Sequence, residues 1–337
     1  MIWNNEQVLQ QWNEGIVFPV YKKGDRLKCN NYRSITLLNI AYKIFAILLN
    51  KRLMENIENK LKDNQIGFCP NISTIDNIFI VRQIFKKSYE HKIDLYNIFV
   101  DYTHAFDSVY RNKIIECLMK FEVPDKLIRL IVLTLTHTRA TVKINRDFTE
   151  EFTVKCRVKQ GDPLSATLFS LVIETILKQM ELRGNITTRL KQCTAYTDNI
   201  LLTTRTKQSL LETFQKLKEA LAQYGLIVNG HKTKYLRCTR KNNKLEELQI
   251  NSMYLEQVQS YKYLGSTVNS DNSKEEEIQH RITLRNKAYY ANQFFFKSKF
   301  VSKKSKLKLY WSIIRPIITY ACETWVLKET IKRSYKS

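Results

Sequence analysis

Two strand-like runs, 189–196 and 200–204, are separated only by Thr197-Asp198-Asn199. So short a join leaves no room for a crossover and predicts an antiparallel hairpin with a carboxylate in its turn. A second acid stands in a similar place. The run Leu95–Val100 is short, apolar and aromatic-rich, reads as a buried strand, and is followed directly by Asp101. A carboxylate at the end of an apolar strand loses hydration unless it is paired or holds a metal. Two of them projecting together from neighbouring strands are what a pair of Mg²⁺ ions about 3.5–4 Å apart requires. Each aspartate taken alone reads more readily as an ordinary turn or sheet-end residue, so its surroundings have to decide.

Those surroundings alternate strands with helices. A turn at Lys23-Gly24-Asp25 precedes a helical stretch in which Ile40, Ile44, Ile47 and Leu48 recur at helix spacing. Residues 73–90 predict a helix capped by Ser73 or Thr74, with Ile75, Ile78, Phe79 and Ile84 inward. Helices are also expected at 112–121, 125–136, 163–182 and 206–224, the last stopped by Gly225. Hairpins are expected from 140–144 with 152–158 and around 248–268, and short strands at 226–228 and 233–238. The pattern is that of an α+β domain with helices packed on one face of an antiparallel sheet.

Charge narrows the partners. The 337 residues carry 55 Lys+Arg against 32 Asp+Glu, a formal +23, which favours an extended polyanion, nucleic acid before a membrane surface. From 278 to 322 there are ten Lys/Arg and no acid, mixed with Tyr289, Tyr290, Phe294, Phe295, Phe296, Tyr310 and Trp311. This stretch reads as a basic helical appendage. No apolar run reaches the roughly 18 residues of a membrane span, and the first thirty residues do not read as a secretory signal. The seven cysteines form no CxxC pair or Cys/His cluster, so neither a zinc site nor a disulfide framework is expected.

Eight strings then carry a resemblance. They are PVYKKGD at 19–25, NNYRSITLLNIAYKI at 30–44, STIDNIF at 73–79, FVDYTHAFDSV at 99–109, VKQGDPLSATLFSLVIE at 158–174, AYTDNILL at 195–202, GLIVNGHKTKYL at 225–236 and YKYLGS at 261–266. In this order and spacing the chain resembles the reverse transcriptases of non-LTR (LINE-type) retrotransposons over nearly its whole length. The resemblance implies a right-hand polymerase fold. Fingers would occupy 1–92, a palm 93–247 with fingers elements interleaved, a primer-grip hairpin 248–270, and a basic helical thumb-like region 271–337.

It also implies roles, position by position. Asp101 and Asp198 would be the catalytic metal ligands, with the Tyr102 carbonyl and Asn199 completing the set for two Mg²⁺ ions, Mn²⁺ being a substitute. Lys22, Lys23 and Arg33 would hold triphosphate oxygens, as cations facing an anionic ligand should. Phe106 would lie under the sugar and exclude a 2′-hydroxyl. Gln160 and Gly161 would flank the incoming dNTP, and Lys232 would protonate the pyrophosphate leaving group. Tyr263, Leu264 and Gly265 would steady the primer end. The implied partners are an RNA template, a DNA primer or target DNA, and dNTPs; target-primed synthesis would place the work in a nucleus, although the basic run 303–308 is too short to mark nuclear entry. Beside these roles, Phe106 also reads as core, Lys22 and Lys23 as solvated turn residues, and Asp107 and Asp162 as structural or capping acids. His104, His231 and His280 lack partners at ligand spacing.

The chain departs from the family pattern in places. Asn199 stands where a second aspartate is expected, keeping a carbonyl oxygen but losing a full negative charge. Cys69 replaces a frequent arginine, and Thr197 the usual alanine. The sequence starts almost inside the first motif and has no Cys/His knuckle after Trp325, so the expectation is a piece lacking the upstream endonuclease of such elements. A catalytically inert, basic nucleic-acid-binding remnant is the alternative. A group II intron-type maturase fits the 310–325 string less well.

Overall fold

The computed structural model describes residues 2–12, 14–60, 73–103, 105–136, 138–154, 161–180, 191–196, 199–240, 245–250 and 253–325. Its centre is a six-stranded sheet in the order Leu248–Ile250, Met253–Gln257, Lys234–Cys238, Leu95–Val100, Asn199–Thr204, Lys191–Tyr196. Neighbours run antiparallel except Lys234–Cys238 with Met253–Gln257, which are parallel.

The 95–100 strand is covered on both faces, and its near-continuous apolar run is the reason. Ile98 and Val100 point into the larger core with Ala195, Ile200, Leu202 and the helices Arg111–Lys120, Ser165–Gln179 and Lys207–Gln223. Leu95 and Phe99 point the other way, onto Val81, Ile84 and Phe85 of the helix Thr74–Glu90 and onto Tyr263 and Val268. The expectation of helices on one face is thereby corrected. Asn97, buried on that second face, accepts a hydrogen bond from Thr203 Oγ1 at 2.9 Å and donates to the Leu236 carbonyl at 3.1 Å. Its polar groups are therefore satisfied within the sheet.

A second sheet holds the N-terminal hairpin, Glu14–Tyr21 antiparallel to Tyr32–Leu37, with Glu14–Tyr21 also parallel to Arg139–Ile144. The strand Arg139–Ile144 turns back through Asp147–Phe148 and Phe152–Thr153, as the expected hairpin does up to residue 154.

The helix Ile40–Ile57 forms where expected, its N-terminus capped by Asn39 Oδ1, which accepts from the Ala41 amide at 2.8 Å. Its buried face is not the expected one. Tyr42, Ala46, Leu49, Leu53 and Ile57 are inside, whereas Ile40, Ile44, Ile47 and Leu48 are all more than half exposed. The helix is apolar nearly all round, so periodicity offers two stripes. What selects one is Tyr42, whose hydroxyl donates to Asp162 Oδ2. In the 74–90 helix Ser73 makes a capping box with Asp76, and Ile78 and Ile84 are buried as expected. Phe79 turns outward there, and Asn77 and Arg82 are buried instead.

The region 248–270 contains two hairpins rather than one. Leu248–Ile250 with Met253–Gln257 extends the central sheet, while Ser260–Tyr263 with Ser266–Asn269 stands apart as a two-stranded unit. The second closes on Leu264 (φ +47°) and Gly265 (φ +82°). Positive φ at both central residues is the signature of a type I′ turn, which matches the twist of the strands it joins. The tail is helical as expected, with Glu275–Ala291, Gln293–Lys297, Lys303–Leu309 and Arg315–Thr319 following one another. Phe294 and Phe300 are 80% and 101% exposed on it, beside exposed Tyr290 and Trp311. No helix among the described residues is long and apolar enough to cross a membrane.

Candidate active site at the end of the central strands

Asp101 directly follows the 95–100 strand and is half-buried. Its backbone is fixed from both sides. The Asp101 amide donates to Thr233 Oγ1 at 3.2 Å, and its carbonyl accepts from the Asn229 amide at 2.8 Å. The loop that supplies both partners is itself anchored, because the short strand Ile227–Val228 pairs with Tyr102–Thr103. Gly225 makes this connection possible: at φ +82° it ends the preceding helix, and a Cβ there would lie 2.4 Å from the Ser108 carbonyl.

The same loop brings Lys232 to the acid, its Nζ 3.7 Å from Asp101 Oδ1. Burial pushes the Asp101 carboxyl above the usual carboxylate range, against the pull of Lys232 and Lys22. Lys22, in turn, is held below the ordinary lysine value by burial and by the like charges of Arg33 and Lys232, with Asp107 and Asp101 acting the other way. Five side chains from three separate stretches of sequence therefore share one field. Lys22 arrives there because its amide donates to the Asn31 carbonyl at 2.9 Å, closing the N-terminal hairpin, in which Arg33 pairs with Val20. Lys23 is in the adjoining exposed turn.

Thr197 and Asp198 lie outside the described residues, as do Gln160, Cys69 and His104. The residues that flank the aspartate are defined: Tyr196 pairs with Asn199, and Val100 pairs with Ile200. Continued by one position, that register sets Asn199 beside Asp101. Tyr102 is buried and paired with Val228. Phe106 is partly buried with its ring centroid 4.7 Å from that of Phe169, so one side of the ring is already packed.

Gly161 has φ +110°, and a Cβ there would come within 2.8 Å of the Thr36 carbonyl. The backbone of this segment thus lies directly against the N-terminal hairpin. Gly161→Ala is expected to cost at least about 2 kcal/mol, since the backbone angle is strained for any side chain and the contact is with backbone that must itself shift. Chemical denaturation checks this; an unchanged midpoint would contradict it. Asp162 behaves as a structural acid, its Oδ1 accepting from the Leu164 amide at 2.9 Å while Oδ2 takes the Tyr42 hydroxyl.

Tyr263, Leu264 and Gly265 are on the separate two-stranded hairpin. It is nonetheless tied to the 95–100 strand, for Tyr261 stacks on Phe99 at 4.1 Å and Tyr263 lies 5.5 Å from the same ring, two residues before Asp101. Tyr263 is almost wholly buried, so its side chain fastens the hairpin and leaves the turn at Leu264-Gly265 to face outward contacts. Sequence reasoning singled out Lys232 and passed over Asn229 and Thr233 in the same string. Their position around Asp101 depends on the 102–103 to 227–228 pairing, which is two residues long and has no periodicity to detect.

A mainly antiparallel central sheet with an acid at one strand end, helices on both faces and a basic hairpin toward that acid define a right-hand polymerase fold. Solved structures agree: telomerase from Candida tropicalis in complex with a fragment of telomeric RNA has a TM-score of 0.58 at 15% identity, over 99% of this chain and 56% of that one. The family model for reverse transcriptase (RNA-dependent DNA polymerase) matches residues 20–268, and the chain belongs to that family. Curated relatives include the retrovirus-related Pol polyprotein of type-2 retrotransposable element R2DM of Drosophila melanogaster, 26% identical over 70% of this chain and 23% of its own length. The probable RNA-directed DNA polymerase of transposon X-element, also from Drosophila melanogaster, is 23% identical over 94% of this chain and 36% of its own. The chain thus spans about a quarter to a third of the length of these relatives.

Proposed function

We propose that this chain is the polymerising domain of a non-LTR retrotransposon reverse transcriptase, which adds dNTPs to a primer 3′-hydroxyl on an RNA template. The observation that carries the reading is the half-buried Asp101 at the end of the central strand, beside the Asn199 end of its neighbour and facing Lys232 and Lys22, with Arg33 close to Lys22. In this reading residues 1–92 act as fingers, 93–247 as palm, 248–270 as primer-grip region and 271–337 as thumb.

The donor set suits a hard dication. Asp101, Asn199 and the Tyr102 carbonyl offer only oxygen, and no cluster of three or more His, Cys, Asp or Glu forms among the described residues. The second full negative charge is the one that the resemblance implies for Asp198. Two Mg²⁺ ions, or Mn²⁺ in their place, would supply the charge that lowers the pKa of the primer hydroxyl and offsets the phosphates. The chain's own residues do the rest. Lys22, Lys23 and Arg33 draw the triphosphate toward the sheet end. Lys232, resting against Asp101 without substrate, turns to the phosphates and protonates the departing pyrophosphate. Phe106, backed by Phe169, offers a firm ring where a 2′-hydroxyl would sit. Gly161 lets the nucleotide or template approach the backbone, and the Leu264-Gly265 turn, anchored by the buried Tyr263, holds the primer end.

Primer extension on poly(rA)/oligo(dT) with Mg²⁺ or Mn²⁺ tests the proposal. The expected result is templated dT addition that weakens steeply with salt as counterions are released on binding. A second reading, an inert nucleic-acid-binding remnant, draws on Asn199 and on the exposed aromatics of the acid-free tail, which suit base stacking. Salt-dependent RNA binding without extension, in both the unaltered chain and Asn199→Asp, would favour that reading.

A further inference from the structure

The turn at Leu264-Gly265 is held from outside its own hairpin, at three carbonyls and one amide around its tip. The Leu264 carbonyl accepts from the Tyr320 hydroxyl at 2.7 Å, and the same hydroxyl lies 3.1 Å from Thr74 Oγ1. The Gly265 carbonyl accepts from Arg281 Nη2. Arg82 Nη2 donates to Ser266 Oγ at 3.1 Å and to the Thr267 carbonyl at 3.0 Å. The Thr267 amide donates to Glu277 Oε2 at 2.7 Å, and Glu277 Oε1 takes Arg281 Nε at 2.7 Å. The Arg281 guanidinium also lies 4.7 Å over the Tyr320 ring.

One carboxylate thus stands with two guanidiniums in the interior, Glu277 1%, Arg82 4% and Arg281 7% exposed. Burial alone would raise the Glu277 pKa, but the Thr267 amide and Arg281 outweigh it and hold the carboxyl below its ordinary value. Buried ion pairs are a weak source of stability, because desolvation offsets most of the attraction. They are a strong source of geometry, since each donor fits one arrangement. Here the arrangement joins the 74–90 helix, the 260–269 hairpin, the 275–291 helix and Tyr320.

We infer that Arg281 is a positioning residue for the primer 3′ end: locked by Glu277, it fixes the Leu264-Gly265 turn to the helix that opens the basic tail, so that turn and tail move as one body. This rests on the primer-end reading of Tyr263–Gly265. Arg281 touches neither primer nor nucleotide in this account and acts through the Gly265 carbonyl and Glu277. Lysine keeps the charge but cannot bridge both partners, because it lacks the two-pronged fork.

Two variants test the inference in the full chain carrying Asn199→Asp, which keeps turnover measurable. Arg281→Lys should lower kcat for primer extension by about tenfold or more at an unchanged KM for dNTP, as a misplaced reacting end does. Rates are normalised to the fraction that binds primer–template, which removes any loss through misfolding. Tyr320→Phe, which deletes one hydroxyl and leaves the ion network in place, should lower kcat in the same direction and by less. Hydrogen exchange without nucleic acid should quicken at the Gly265 and Thr267 amides in Arg281→Lys, while the Leu95–Val100 strand keeps its protection. Faster exchange at the turn with kcat unchanged in both variants would overturn the inference and leave the polymerase reading standing. Absence of templated extension in the parent chain would remove that reading, and this inference with it.

Discussion

Asn199→Asp lowers the Mg²⁺ concentration for half-maximal primer extension by about 10- to 10³-fold, the range that one added charge within 4–6 Å produces at a partly buried ionic site. The physical basis is the register. Val100 pairs with Ile200, and that register carried one position further sets residue 199 opposite Asp101, whose carboxyl is already pushed upward by burial. An amide there offers an oxygen to a dication without neutralising any of its charge. The added carboxylate also has a cost that can be read without catalysis. In the absence of divalent metal, two like charges at one strand end lower the thermal midpoint, and Mg²⁺ restores it. A half-maximal Mg²⁺ concentration unmoved by the substitution would show that residue 199 does not face the metal.

On the proposed role, Asp101→Asn abolishes extension, by about 10³-fold or more, because losing a carboxylate that would hold the metal forfeits several kcal/mol of charge stabilisation. Folding should survive. The Asp101 backbone is held by Thr233 and Asn229 without using its side chain, and the amide has nearly the same shape. The substitution also relieves a half-buried charge, so the denaturation midpoint should stay within experimental error or rise slightly. RNA binding at low salt should be unchanged or a little tighter, since Lys232 loses its acidic neighbour. Residual extension near that of the parent chain would contradict the assignment.

The 95–100 and 199–204 strands and the Ser165–Gln179 and Lys207–Gln223 helices were legible in the sequence, because strong apolar periodicity or an unbroken apolar run marks each of them, and the tail stood out by its basic, acid-free and aromatic composition. The helix at 40–57 was legible as a helix but not as a face. Two apolar stripes compete there, and the choice is made by a hydrogen bond from Tyr42 to Asp162, 120 residues away. The region 248–270 reads as one hairpin from turn residues alone; only the pairing of Met253–Gln257 with Lys234–Cys238 divides it, and a parallel contact of that kind leaves no local mark. Similar limits apply at the site. Asp101, Lys22, Arg33 and Lys232 could be proposed because each lies in a quotable string. Thr233 and Asn229 share a string with Lys232, yet nothing local marks them as holding the Asp101 backbone, and the Arg82–Glu277–Arg281 network lies in none of the strings. Buried arginines on otherwise amphipathic helices look like surface residues until their partners are known.

The central claim is that Asp101 and Asp198, far apart in sequence, serve one metal-dependent centre. A double-mutant cycle tests it most directly, with Mn²⁺ affinity and primer extension measured for Asp101→Asn, Asp198→Asn and the pair together. Residues that act as a unit are strongly non-additive, so each single substitution should remove nearly all activity and tight Mn²⁺ binding, and the pair should lose little more. Additive losses, or an Asp198→Asn chain that binds Mn²⁺ and extends primers like its parent, would contradict it.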